Sequence, residues 1–287
     1  MFTIGIITAD SADDPSIKVF DKLASNYGCA IKIIDPSKSY NKTDFNDVDI
    51  LYHRISSRGK EIVNKKFDFY IQAIKDNNLP YIGNIKNLKE LKSKYAQLIE
   101  AEKLGIKVPK TVFVEGLDKL DEALDGFSFP VVVKSVYSFG GQDVALAKNK
   151  DEINMMLREE YIIQEFIPLD AVADYRAYVV GNRVVGGIIR ENNRKGEFRA
   201  NTTQGATATF FMPDDKLSKL ALKYTSSIGA EILAVDFIKK DHEYYFIEAN
   251  DAFSVKTENE KKKESIAIAI IEYCKARAEN FNRSKTK

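Results

Sequence analysis

The sequence predicts an α/β protein: a small, mainly parallel sheet with helices, followed by lobes that mix helices with antiparallel strands. Three observations carry this. Residues 1–88 alternate short apolar runs with longer amphipathic stretches, the pattern of strand–helix–strand units. Further on, strand-like runs come in pairs around turn residues, at Gly181-Asn182 and at Lys240-Asp-His-Glu243. The second of these pairs, Ala234 to Asn250, carries acids where a strand normally buries hydrocarbon.

In order, residues 3–8, 30–34 and 50–53 read as buried strands, 16–26 and 63–77 as helices, and Pro80-Tyr-Ile-Gly83 as a short fourth strand. Asn87 opens a helix expected to run to Leu104, where Gly105 stops it, and Val108-Pro109 begins an extended segment. Residues 118–124 read as a helix, 130–134 as a strand, 138–143 as a turn, 144–147 as a strand, 150–158 as a helix and 161–165 as a strand. A hairpin over 175–190 turns at Gly181-Asn182, and a polar loop covers 191–203. A helix at 214–228 precedes the acidic hairpin, and an amphipathic helix at 265–278 ends the pattern. A chain of 287 residues is long for one compact unit. Boundaries are expected at 88/89 and 167/168, with lobes packed closely and a cleft between them.

Composition excludes several classes. A net charge of +1 leaves no global field to draw in nucleic acid. No apolar run approaches the ~20 residues of a membrane span. Met1-Phe-Thr-Ile-Gly-Ile-Ile-Thr8 lacks the charged start of a signal peptide and reads as a core strand. Cys29 and Cys274 fit no metal or redox spacing, and His53 and His242 are too scattered for a histidine metal site. A cytoplasmic protein is expected. After the first strand stands Ala9-Asp-Ser-Ala-Asp-Asp-Pro15 in place of Gly-x-Gly-x-x-Gly, which disfavours NAD.

The acidic hairpin is the most informative segment. A turn centred on His242 sets Asp236 opposite Glu248, and the period of two puts Asn250 on the face of Glu248. Two carboxylates and an amide on one face repel or bind a cation, and oxygen donors suit Mg²⁺. A solvated hairpin face would carry the same residues. Lys134 ends an apolar strand before the Gly-containing loop Ser138-Phe-Gly140-Gly141, a combination that meets an anion or simply makes a turn. It is not a P-loop. Gln164-Glu165-Phe166-Ile167 is a strand end whose backbone could pair with an adenine edge, or an ordinary terminus. Arg176, Arg190, Arg194 and Arg199 crowd one region with Asn201, matching phosphate or carboxylate, or forming a solvated basic loop.

The order of these features, from Lys94 through Lys134, Gln164–Ile167, Asp174-Tyr-Arg176, Arg199-Ala-Asn201 and Asp236 to Glu248-x-Asn250, resembles the ATP-grasp superfamily and within it the RimK-like carboxylate–amine ligases. The resemblance implies an ATP-grasp fold, with an N-terminal Rossmann-like domain before two α+β lobes that hold ATP between them. It implies that Lys94 and Lys134 meet the α- and β-phosphates, that the Ser138, Gly140 and Gly141 loop closes over them, that Glu165 and Ile167 hold adenine through their backbones within Gln164–Ile167, and that Asp170 or a neighbour holds ribose. It implies Asp236, Glu248 and Asn250 as ligands of two Mg²⁺ ions, with Mn²⁺ as a substitute. Arg176, Arg190, Arg199 and Asn201 match positions facing the γ-phosphate, the acyl phosphate and the substrate carboxylate. The expected activity is ADP-forming ligation of an amino acid to a carboxylate of a peptide, carrier protein or small molecule, in a homo-oligomer. A kinase on the same fold and a non-catalytic ATP binder are the alternatives. The chain departs from the family at Lys134-Ser-Val-Tyr-Ser138-Phe-Gly-Gly141, where relatives read Lys-Pro-x-x-Gly-Ser-x-Gly, and at Asp251-Ala-Phe-Ser-Val-Lys256, where many read Ala-Ser-Pro-Gly. That tail and Asn201-Thr-Thr203 look closer to the ligases that add amino acids to a carrier protein in lysine and arginine biosynthesis.

Overall fold

Ile4, Ile6 and Ile7 alternate with few polar residues because their strand is covered on both faces, and it forms the centre of a parallel sheet. This strand, β1 (Phe2–Ile7), lies between β2 (Cys29–Ile34) and β3 (Ile50–His53) in the order β2-β1-β3. The structure is a computed structural model and describes residues 1–8, 15–55, 60–138, 143–156, 160–169, 171–253 and 259–285. Helices α1 (Pro15–Ala24) and α2 (Lys60–Asn77) flank the sheet in sequence. The fourth strand expected at Pro80–Gly83 is a single parallel bridge, Leu51 with Tyr81. Gly83, at φ +85°, turns the chain away before a ladder can grow, and Asn84 caps the next helix.

The single helix expected from Asn87 to Leu104 is two helices, α3 (Ile85–Glu90) and α4 (Lys94–Lys103). Ser93 explains the break: its hydroxyl accepts from the Ala96 amide at 3.3 Å and starts a second helix. The interruption turns Lys92 inward. The following sheet contains β4 (Thr111–Val114), β5 (Val131–Ser135), β6 (Val144–Ala147) and β7 (Tyr161–Glu165) in the antiparallel order β4-β7-β5-β6. The extended segment therefore starts at Thr111, not at Val108-Pro109. The expected helix at 118–124 is a 3-10 turn, Leu117–Lys119, leading into one turn of helix, α5 (Leu120–Ala123). With α6 (Lys150–Met156), these elements enclose a small core of Leu120, Val131, Val133, Ile153 and Ile163.

The third sheet, β8 (Ala173–Val180), β9 (Arg183–Glu191), β10 (Thr207–Phe211), β11 (Ile232–Lys240) and β12 (Glu243–Asn250), is antiparallel in the order β10-β9-β8-β11-β12. Helix α7 (Asp215–Ser227) is capped by Asp214, and α8 (Glu260–Lys285) returns to pack on α1. Two large cores join the first and third sheets. One combines Leu51, Phe67 and Tyr70 with Leu217, Tyr224 and Phe237, and the other combines Ile4, Ile17 and Phe20 with Tyr178, Ile266 and Ile270.

The acidic hairpin forms, with a twist on its expected register. Asp241 and His242 both have positive φ, 50° and 62°, so the turn is a two-residue one between Lys240 and Glu243. An unbroken ladder from that turn would set Asp236 opposite Ile247. A bulge between Asp236 and Phe237 adds one residue to β12 and restores the expected pair Asp236–Glu248.

Candidate active site

A cleft opens between the second and third sheets, lined by α4, β5, β7, the segment 166–169, β9, residues 198–201, β11 and β12. Of the residues expected from sequence, Lys94, Lys134, Ser138, Gln164, Glu165, Phe166, Ile167, Arg190, Arg199, Asn201, Asp236 and Glu248 line it. Arg176 and Asn250 adjoin it through Asp236 and Glu248. Gly140, Gly141 and Asp170 lie outside the described residues.

The two lysines come from different lobes. Lys94 stands at the first turn of α4 and donates to the Ser138 carbonyl and, at 3.2 Å, to the Ser138 hydroxyl. Lys134, on β5, donates to Gln164 Oε1 at 2.6 Å, and the Gln164 amide donates in turn to the Thr111 hydroxyl at 2.9 Å. Both ammoniums are buried among neutral oxygens, and Glu248 lies 3.9 Å from Lys94. Burial lowers the pKa of each, Glu248 opposing it, and Lys134 is pushed down to about 8. The fold holds two ammoniums whose charge no close carboxylate quenches, an arrangement that favours an anion.

Across the cleft floor runs a charge chain that period-two alternation places on adjacent strands. Arg176 of β8 sits opposite Asp236 of β11 and grips it with two hydrogen bonds of 2.6 Å. Arg190 of β9 donates to Asp236 at 3.0 Å and to Asp174 at 2.5 Å. Burial opposes ionisation of Asp236, but Arg176 and Arg190 outweigh it and lower its pKa. Burial raises Asp174 to about 6 against the pull of Arg190. Asp174 was not among the expected site residues; its signal is its place opposite Arg190 once a bulge at Tyr178/Val179 shifts the β8–β9 register. Arg199 is paired with Glu197 and reaches the Val144 carbonyl at 3.3 Å, bridging the two lobes. Phe166 and Phe198 meet edge to face at 6.3 Å, giving the outer cleft an aromatic wall.

Ile247 and Glu248 both line the cleft, although they are consecutive. The β12 bulge is the cause, since a regular strand would send one of them to the core. Asn250 donates to Glu248 Oε1 at 3.2 Å, so the two share a face. This pair supplies a carboxylate and an amide oxygen, a hard donor set that fits Mg²⁺ held jointly with substrate phosphates. Asp236 contributes only if one guanidinium lets go of it. Among the described residues no cluster of three His, Cys, Asp or Glu side chains forms a ready cage.

Fold and cleft together define an ATP-grasp ligase, an enzyme that uses ATP and a divalent metal to form a C–N bond. The RimK-like ATP-grasp domain matches residues 90–274, and the chain belongs to that family. It is 31% identical over 219 residues to a coenzyme gamma-F420-2:alpha-L-glutamate ligase of Methanocaldococcus jannaschii, covering 72% of this chain and 75% of that one. It is 29% identical to the alpha-aminoadipate–LysW ligase LysX of Sulfurisphaera tokodaii, over 70% of this chain and 71% of the other. The structure superposes on a RimK domain ATP-grasp protein of Sphaerobacter thermophilus with a TM-score of 0.71, covering 95% of this chain and 99% of that one at 17% identity. The ATP-grasp fold and the carboxylate–amine ligase activity expected from the motif order are thereby borne out, and neither the kinase nor the non-catalytic reading is supported. Among the described residues no helix is long and apolar enough to cross a membrane.

Proposed function

We propose that the enzyme joins an α-amino acid, glutamate or a close analogue, to the carboxylate of an acceptor that is a peptide, a small carrier protein or a glutamyl-bearing small molecule. The observation that carries the nucleotide reading is the pair of buried lysines, Lys94 and Lys134, held by neutral oxygens at one cleft. They meet the α- and β-phosphates, the Ser138 loop with Gly140 and Gly141 covers them, and Gln164–Ile167 with Phe198 holds the base. Asp170 takes the ribose. The lobe boundaries at 88/89 and 167/168 belong to the same proposal.

Glu248 and Asn250, with Asp236, would hold the divalent metal, two Mg²⁺ ions or Mn²⁺ in their place. When bound, the metal neutralises charge on the triphosphate. The chain's own residues do the rest. Lys134 and Arg190 present fixed positive charge toward the γ-phosphoryl group as it passes to the acceptor carboxylate, giving ADP and an acyl phosphate. The amine then attacks the acyl carbon, a C–N bond forms, phosphate leaves and the amine loses a proton. Arg176 orients Asp236, and Asp174 holds Arg190. Arg199 and Asn201 line the side where the acceptor carboxylate enters.

Mass spectrometry of products formed from ATP, Mg²⁺, glutamate or aminoadipate, and glutamyl peptides tests the substrate assignment. An amide product with an α-amino dicarboxylate is expected; products only with unrelated amines would overturn it.

A further inference from the structure

We propose that Asp251, tied by Lys92 and His53, is a positioning residue that fixes the Glu248–Asn250 oxygen pair for the divalent metal. The inference rests on the metal reading above. Strand β12 ends at Asn250, whose ladder partner is Ala234, the last pair of the hairpin. Beyond it no ladder holds the chain, and a strand's terminal residue would fray. Asp251 takes over at that point. Its side chain is 6% exposed, its Oδ2 lies 2.7 Å from His53 Nε2, and its Oδ1 accepts from Lys92 Nζ.

Each partner is itself anchored. Lys92 also donates to the Ile55 carbonyl at 2.6 Å and lies over the Phe67 ring. The His53 ring packs on Phe67 and Tyr70, with centroids 5.8 and 4.9 Å away. One residue upstream of Asn250, the Gln97 side chain satisfies both backbone groups of Ala249, accepting at 2.8 Å and donating at 3.0 Å. Ala249 and Asp251 are thus gripped on one side of the strand, and by alternation Glu248 and Asn250 are presented on the other. A buried ion pair adds little net stability, because desolvation offsets attraction. Its directionality selects one geometry, and here that geometry sits next to the metal donors.

The break between α3 and α4 gains a purpose from this. One continuous helix would leave Lys92 on its surface; Ser93 starts a new helix and sends Lys92 into the interior toward Asp251.

The test measures how far Mg²⁺ tightens binding of a non-hydrolysable ATP analogue to the full-length protein, by calorimetry with Mg²⁺ and with EDTA. Asp251→Asn and Lys92→Met are expected to lose about tenfold of that tightening, as for groups that orient metal ligands. Their affinity in EDTA stays that of the wild type, and Lys92→Arg restores the Mg²⁺ effect. A folded Asp251→Asn or Lys92→Met protein with the full Mg²⁺ effect would overturn the inference, as would an equal loss of affinity in EDTA. Where Asp251→Asn does not fold, His53→Phe and His53→Gln make the same comparison, the first losing the effect and the second keeping it. If Mg²⁺ does not tighten binding to the wild type, the metal reading itself fails, a result seen before any variant is made.

Discussion

Lys134 concentrates the chemistry of the cleft in one side chain. Burial lowers its pKa to about 8, so at neutral pH it carries a charge that the apo fold does not compensate well. The sign follows from proton counting. Between about 8 and the ordinary lysine value near 10.5 the unfolded chain binds the proton that the folded chain has lost, so this residue makes the apo protein more stable as pH rises through that window. A bound triphosphate restores the proton. ATP affinity is therefore expected to fall as pH rises past about 8, with proton uptake detectable by calorimetry in buffers of different ionisation enthalpy. Lys134→Ala removes both effects and weakens ATP binding at pH 7. Glu248→Gln is expected to cut turnover by about 100-fold or more while nucleotide binding in EDTA persists, since only the interaction made during phosphoryl transfer is lost. Wild-type turnover in that variant would show that Glu248 holds no essential metal. Single residues were the most legible part of the site. Lys134, Asp236 and Glu248 stand out because charge interrupts apolar strands. Asp174, Gln97 and Lys92 did not, because their roles depend on partners in other elements: Arg190, Ala249 and Asp251.

Elements show where local reading stops. The acidic hairpin was readable from its alternation and turn, yet its register comes from two offsetting departures, a two-residue turn and a bulge, that no periodicity reports. The split of α3 from α4 has a local cause, the Ser93 cap, and a distant consequence, the inward Lys92. Helix α4 also clamps β12 through Gln97, whose amide replaces a neighbouring strand for Ala249. Gln97→Ala leaves a backbone amide and carbonyl without these partners. It is expected to cost about 1–3 kcal/mol in urea unfolding. A cost within experimental error would show that water replaces the glutamine without penalty.

At the scale of the molecule, strand–helix alternation and paired strands foretold an α/β protein with a cleft, but not which sheets share a core. The first and third sheets do, while the second keeps its own smaller core. Helix α8 seals that union: Ile266 and Ile270 pack with Ile17 and Phe20 of α1, and Arg277 and Tyr273 hold Glu231, which also accepts from the Gly83 amide. Ile270→Ala, far from the cleft, is expected to destabilise the whole protein by about 2–5 kcal/mol, read as a lower melting temperature with one transition shared by the first and third sheets. Two separate transitions for those sheets would contradict a common core. The account as a whole stands on phosphoryl transfer to a carboxylate within this cleft. It is tested most directly by incubating the enzyme with ATP, Mg²⁺ and acceptor carboxylates in hydroxylamine and measuring hydroxamate alongside ADP. The account predicts equal amounts of both, dependent on the carboxylate and lost in Glu248→Gln. ADP with a stable phosphoester and no hydroxamate, or no ADP with any carboxylate, would contradict it.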